Sequence, residues 1–235
     1  MFFTMLIIHG FISMAQAAPL RIMPLGDSIT AGGYNENGQW KVGGGYRVKL
    51  DTLLKQQGLD FVFVGGLHDG PEGFTNNAHE GHSGFRVEQL TSGVQSWLQA
   101  AKPDLILLMV GTNDIIQNYD LDHVGMRFEA LLNVIEQTLP NAKLIVASSI
   151  PTENEDWNEK LEDLAHTVEG MVVRHSRAGH SIQFVDMYSL SGIEHNRNDL
   201  IDGVHPTPLA YDKLAPVWAS AIQKGAWHLF VAGTR

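Results

Sequence analysis

Residues 105–110 read Leu-Ile-Leu-Leu-Met-Val, an apolar run with no polar alternate to turn toward water. Such a run fits a strand covered on both faces, which in water-soluble folds means a parallel sheet between helix layers. Short apolar runs recur along the chain at 20–25, 61–65, 104–111, 143–149 and 182–187, and 144–147 has the same unbroken character. Stretches with helical spacing alternate with them, at 46–57, 87–101, 124–139, 155–178 and 208–224. In the first of these Val48, Leu50, Leu53 and Leu54 share one helical face. Strand and helix in alternation require right-handed βαβ crossovers, so the expected class is α/β with a parallel sheet. In sheets of that kind chemistry gathers at the carboxyl ends of the strands.

Chain breakers fall between these elements. Gly32-Gly33 and Gly43-Gly44-Gly45 bracket one expected loop, and residues 65–84 form a longer one rich in Gly, Asn and His. Pro103, Pro140 and Pro151 punctuate strand entries and exits. There is no internal repeat, low-complexity tract or linker, so residues 18–235 are expected to form one domain. A chain of 235 residues can build one core without metal or disulfide staples.

Composition narrows the function classes. Sixteen Lys and Arg against 26 Asp and Glu give a net charge of −10, with no basic run, which argues against a nucleic-acid partner. The absence of cysteine removes disulfides, thiolate metal sites and cysteine nucleophiles together. The N-terminal segment is apolar through Phe2, Phe3, Leu6, Ile7, Ile8, Phe11 and Ile12, carries no charged side chain and ends in Ala15-Gln16-Ala17-Ala18-Pro19. It is too short for a comfortable membrane span and ends like a cleavage site. The expectation is a signal peptide over residues 1–17, and hence secretion and no membrane partner.

Four fragments carry candidate chemistry. Gly26-Asp27-Ser28-Ile29-Thr30 follows the first strand and puts a serine at the reactive edge, although the same fragment also describes a helix N-cap. The stretch from His79 to Arg86 follows the second strand and offers a backbone N–H at Gly81 or Gly84. Gly111-Thr112-Asn113-Asp114 closes the most apolar strand and aims an amide across the edge, as an oxyanion donor would be aimed. Asp202-Gly203-Val204-His205 precedes the last helix, with Gly203 permitting a turn tight enough for Asp202 to reach the His205 imidazole. His79, Glu80 and His82 raise a metal reading. Their spacing lacks the separation of two ligands by one helical turn, and Gly81 disfavours a helix, so no metal or cofactor is expected.

The order of these fragments, serine, glycine, asparagine, then aspartate and histidine, resembles that of the SGNH or GDSL hydrolase superfamily. The likeness spans Gly26 to His205. It implies a flavodoxin-like three-layer α/β/α sandwich with a five-stranded parallel sheet, and ester hydrolysis by serine. By family role Ser28 is the nucleophile, His205 the base and Asp202 its orienting partner. The Ser28 backbone, Gly84 and Asn113 form the oxyanion hole, with Gly81 as second choice for the glycine. The stretch around Gly84 is similar to carbohydrate esterase family 3, the acetyl xylan esterase type, which often has tryptophan where Phe85 stands here. The expected substrate-binding positions are Asp27, Tyr34 and Trp40, and Trp157 and Tyr188 are further aromatics able to stack on sugar rings. The implied substrate is an acetylated polysaccharide such as xylan, or else the ester of a general short-chain esterase or lysophospholipase-like member of the same superfamily. A non-catalytic carbohydrate-binding module is the reading from a different class.

Overall fold

The computed structural model describes residues 18–230. The elements are β1 (Leu20–Gly26), α1 (Ser28–Ala31), β2 (Gly33–Glu36), β3 (Gln39–Val42), α2 (Tyr46–Gln56), β4 (Phe61–Phe63), β5 (Leu67–His68) and β6 (Ala78–Gly81). They continue with α3 (Val87–Ala101), β7 (Leu105–Met109), α4 (Thr112–Ile116), α5 (Val124–Thr138), β8 (Lys143–Ala147), α6 (Glu155–Arg177), β9 (Ile182–Val185), α7 (Met187–Leu190) and α8 (Pro208–Phe230). The five long helices start where the periodicity places them. The expected signal peptide lies outside the described residues. No helix among the described residues is long and apolar enough to cross a membrane.

β1, β7, β8 and β9 lie side by side and parallel, with Ile22 opposite Leu105, Leu105 opposite Lys143 and Leu144 opposite Ile182. The apolar run of β7 divides with the two-residue period of a strand. Leu105, Leu107 and Met109 join the core under α2 and α8, with Leu50, Leu54 and Trp218. Ile106, Leu108 and Val110 join the core under α3, α5 and α6, with Leu90, Val94, Leu131 and Val168. Both faces are therefore covered, and the absence of polar alternation follows from this three-layer packing.

The expected five-stranded sheet needs correction at its second position. The edge of β1 away from β7 is shared by two strands: β4 pairs with its beginning (Leu20 opposite Phe61) and β6 with its end (Gly26 opposite Gly81). Residues 64–77 leave the sheet between them and contribute β5, which runs antiparallel to β6 at the margin. Five parallel positions hold, but seven strands build the sheet. A second departure is the antiparallel hairpin β2–β3, which occupies the first expected loop. Asn37-Gly38 turns it, with φ of 54° and 80°. That dipeptide suits a two-residue hairpin because both residues tolerate positive φ, and it is the signal that could have found the hairpin in the sequence.

Candidate active site

The carboxyl ends of β1, β6 and β7 converge, and each delivers one fragment. Gly26 ends β1 where a Cβ would stand 2.1 Å from the Met109 carbonyl oxygen, so only glycine lets β1 and β7 approach there. The chain then turns into α1, whose first residue is Ser28. Asp27 caps that turn, its Oδ1 accepting the Ile29 N–H at 2.9 Å. Behind it Arg47 is fully buried and donates to the carbonyls of Thr30, Ala31, Asp69 and Asn77 at 2.7–3.0 Å. One guanidinium thus ties the serine turn to the excursion between β4 and β6. Burial without a carboxylate partner pulls its pKa down to about 10.

Between β9 and α8 the chain brings the fourth fragment to the same edge. Leu200 bridges to Pro206, and the intervening turn carries Gly203 at φ 89°, whose carbonyl accepts the Glu153 N–H at 2.8 Å. Inside that turn Asp202 Oδ1 accepts the backbone N–H groups of Val204 and His205 at 3.1 and 2.8 Å. Its Oδ2 lies 2.8 Å from His205 Nδ1, and His205 Nε2 lies 2.9 Å from Ser28 Oγ. Burial works against the charge of Asp202. The hydrogen bonds from the His205 ring and backbone outweigh it and hold the carboxyl at about 2. With an ionised acceptor on Nδ1, the imidazole keeps its proton there and turns Nε2 toward the serine as an acceptor.

Asn113 stands at the head of α4, just past the carboxyl end of β7. One of its amide N–H groups donates to the Phe85 carbonyl at 3.0 Å, leaving the second free. Gln117 holds the neighbouring Gly84 carbonyl at 3.2 Å, so both carbonyls of this loop are fixed from α4 and its C-terminal end. Gly84 is exposed at φ 81°. Gly81, the other candidate, donates its N–H to His79 Nδ1 at 3.0 Å and is spent there.

The metal reading of this loop fails on geometry. His79 and Glu80 are neighbours on β6 and point to opposite faces. His79 uses Nδ1 on Gly81 and Nε2 on Asp69, and burial pushes its pKa down to about 3, so it is neutral. His82 lies flat between Phe85 and Trp97, with Nε2 on Glu80 at 2.8 Å.

One expected substrate contact, Asp27, is corrected. Asp27 is 1% exposed and turned inward, because the N-cap geometry aims its carboxyl at the α1 backbone. Burial raises its pKa to about 6, and its Oδ2 has no partner. Tyr34 and Trp40 sit in the same hairpin but not on one face, since the register pairs Tyr34 with Lys41 and Asn35 with Trp40. Tyr34 covers Gly43 and packs on the core. Trp40 is 46% exposed and stands edge-on to the His205 ring at 5.0 Å. Trp157 and Tyr188 pack against the core beneath α6.

Sequence reasoning missed Arg47 and the buried Asp114. Asp114 Oδ2 accepts the Val87 N–H at 3.0 Å and its Oδ1 takes Arg127 at 3.0 Å, which docks α3 against the Asn113 fragment. Burial raises the Asp114 pKa. A charged residue inside an apolar pattern was the available signal for Arg47, but its direction is set by tertiary packing.

A mainly parallel α/β/α sandwich with a hydrogen-bonded chain of serine, histidine and aspartate at its carboxyl edge defines the fold class. The chain belongs to the GDSL-like Lipase/Acylhydrolase family, whose profile matches residues 25–213. It is similar to a "Clostridium thermocellum family 3 carbohydrate esterase", with 33% identity and a TM-score of 0.73 over 88% of this chain and 96% of that one. A carbohydrate esterase family 3 structure from Talaromyces cellulolyticus also superposes, with 26% identity and a TM-score of 0.73 over 87% of this chain and 97% of that one. A "Multidomain esterase" from Ruminococcus flavefaciens is 30% identical over 89% of this chain. The chain spans 29% of the length of that relative and 55% of a second curated one.

Proposed function

We propose that this chain is a serine esterase that removes acetyl groups from a carbohydrate, with acetylated xylan the first substrate to test. The observation that carries the reading is the relay from Ser28 Oγ through His205 to Asp202, with steps of 2.9 and 2.8 Å. The family 3 carbohydrate esterases that share its fold support the acetyl-carbohydrate choice.

In the proposed cycle His205 Nε2 takes the Ser28 proton as Oγ attacks the ester carbonyl. The oxyanion that forms is met by the N–H groups of Ser28 and Gly84 and by the free amide N–H of Asn113. Asp202 stabilises the imidazolium. Collapse of the intermediate breaks the ester C–O bond, and His205 gives the proton to the leaving sugar oxygen, which departs as a hydroxyl. Water then attacks the acetyl-enzyme by the same route and frees acetate. Trp40 offers a ring face beside His205 for the sugar. Residues 1–17, as a cleaved export signal, would bring the enzyme to a polymer outside the cell.

Acetate release from acetylated xylan, measured beside p-nitrophenyl acetate and longer-chain esters for wild type and Ser28→Ala, tests the proposal. Release from xylan that vanishes in the variant is the expected result. Cleavage of small esters alone discards the carbohydrate assignment and keeps Ser28. Inactivity on every ester overturns the hydrolase reading.

A further inference from the structure

At the opposite, amino-terminal edge of the sheet a second cluster of chemistry-bearing side chains converges. Glu136 lies on the last turn of α5, His175 on the last turn of α6, and His180 in the turn leading into β9. One ligand atom from each lies within 4.8 Å of the others. Glu136 Oε2 is 2.8 Å from His175 Nδ1 and 3.4 Å from His180 Nδ1. We propose that Glu136, His175 and His180 bind one divalent cation of the zinc type, clasping the ends of α5 and α6 to the start of β9.

Three features support a bound ion over a simple ion pair. Glu136 has only 9% of its side chain exposed, yet its Oε1 has no hydrogen-bond partner. A buried carboxylate oxygen left open is costly, and a cation between it and the two imidazoles would satisfy it. The second feature is His175 Nε2, which faces Glu129 Oε1 at 2.8 Å, while Arg174 holds the other oxygen of Glu129 at 3.0 Å. A carboxylate on the far nitrogen of a histidine is the usual outer support of a metal-bound imidazole, because it fixes the ring and leaves the near nitrogen to the ion. The third feature is the donor set. Two imidazoles and a carboxylate suit zinc and its first-row neighbours and not calcium, which takes oxygen. His180 is 42% exposed, so the fourth coordination position opens to solvent. Without metal, the proton on His175 Nδ1 bridges to Glu136 Oε2, and the ion would displace that proton to solvent.

The test is calorimetric titration of chelator-stripped wild type with zinc chloride, followed by thermal melting, with calcium chloride as the control. The expected result is one zinc per chain and no response to calcium. With zinc at about 100 times its dissociation constant, the melting temperature should rise by about 5–10 °C. His180→Ala, which alters a half-exposed side chain and leaves the fold intact, should abolish the site, as should Glu136→Gln. Glu129→Gln should weaken it about 10–100-fold. Failure of folded wild type to bind zinc overturns the proposal, and so does equal binding by wild type and His180→Ala.

Discussion

Asp202 and His205 are joined at both ends of one carboxylate: Oδ1 takes the histidine's own backbone N–H and Oδ2 its ring Nδ1, each at 2.8 Å. The ring cannot swing without giving up its hydrogen bond to Oδ2. Asp202→Asn keeps the shape and loses the charge that selects the tautomer. Ester turnover should fall on the order of 10⁴-fold, with a fall of a few degrees in melting temperature from the loss of a carboxylate held at about 2. Steady-state kinetics beside a thermal scan decides this, and a loss under 10-fold would assign Asp202 a merely structural part.

Trp40 touches the site only from the side, edge-on to His205. Trp40→Ala should raise KM for a polymeric acetylated substrate about 3- to 10-fold, the worth of one aromatic contact. It should change turnover of p-nitrophenyl acetate far less. Equal losses on both substrates would instead place Trp40 in the support of His205.

Asp27 is a buried carboxylate with its pKa raised to about 6, and this makes it a cost to the fold at neutral pH. The cost is absent below the unfolded value near 4, grows as pH rises through 6 and is constant above that. Asn at this position caps a helix as well as Asp does and carries no charge. Asp27→Asn should therefore gain on the order of 2 kcal/mol at pH 8 and nothing at pH 4. Urea unfolding at the two pH values measures the difference, and a loss of stability at pH 8 would refute it.

Arg47→Met would fill the same space and leave four carbonyls without their donor. A loss exceeding about 4 kcal/mol is expected, seen as a fall in melting temperature of about 10 °C or more. Arg47→Lys should recover only part of it, since an ammonium cannot span the planar fork. Equal stability of the lysine variant and wild type would show that charge, not geometry, is what the pocket requires.

The layers of the sandwich were legible because burial on two faces leaves an unambiguous trace, as in residues 105–110, where alternate side chains feed two different cores. Ser28, Asp202 and His205, which the structure joins by hydrogen bonds, were named with Asn113 from the order of the fragments and the resemblance it carries, not from strand position alone. The split of the second strand was not, since three residues of β4 and four of β6 are too short to show a period. Asp27 was misplaced for a different reason: it adjoins Ser28 in sequence, but helix capping turns its carboxyl inward. Gly84 was preferred to Gly81 on the resemblance alone; the hydrogen bond that occupies the Gly81 N–H at His79 is a contact that no spacing reveals.

Arg47 grips the excursion between β4 and β6 only by the carbonyls of Asp69 and Asn77. Every amino acid supplies a carbonyl, so this anchor is blind to side-chain identity at the two positions it holds. The exposed Glu72 and Thr75 between them can change without loosening the serine turn on the other end of the same guanidinium, whereas Asn76 is tied by its side chain to Phe63 and Asp51. The chain can thus vary the surface beside its reactive edge while the edge itself stays put.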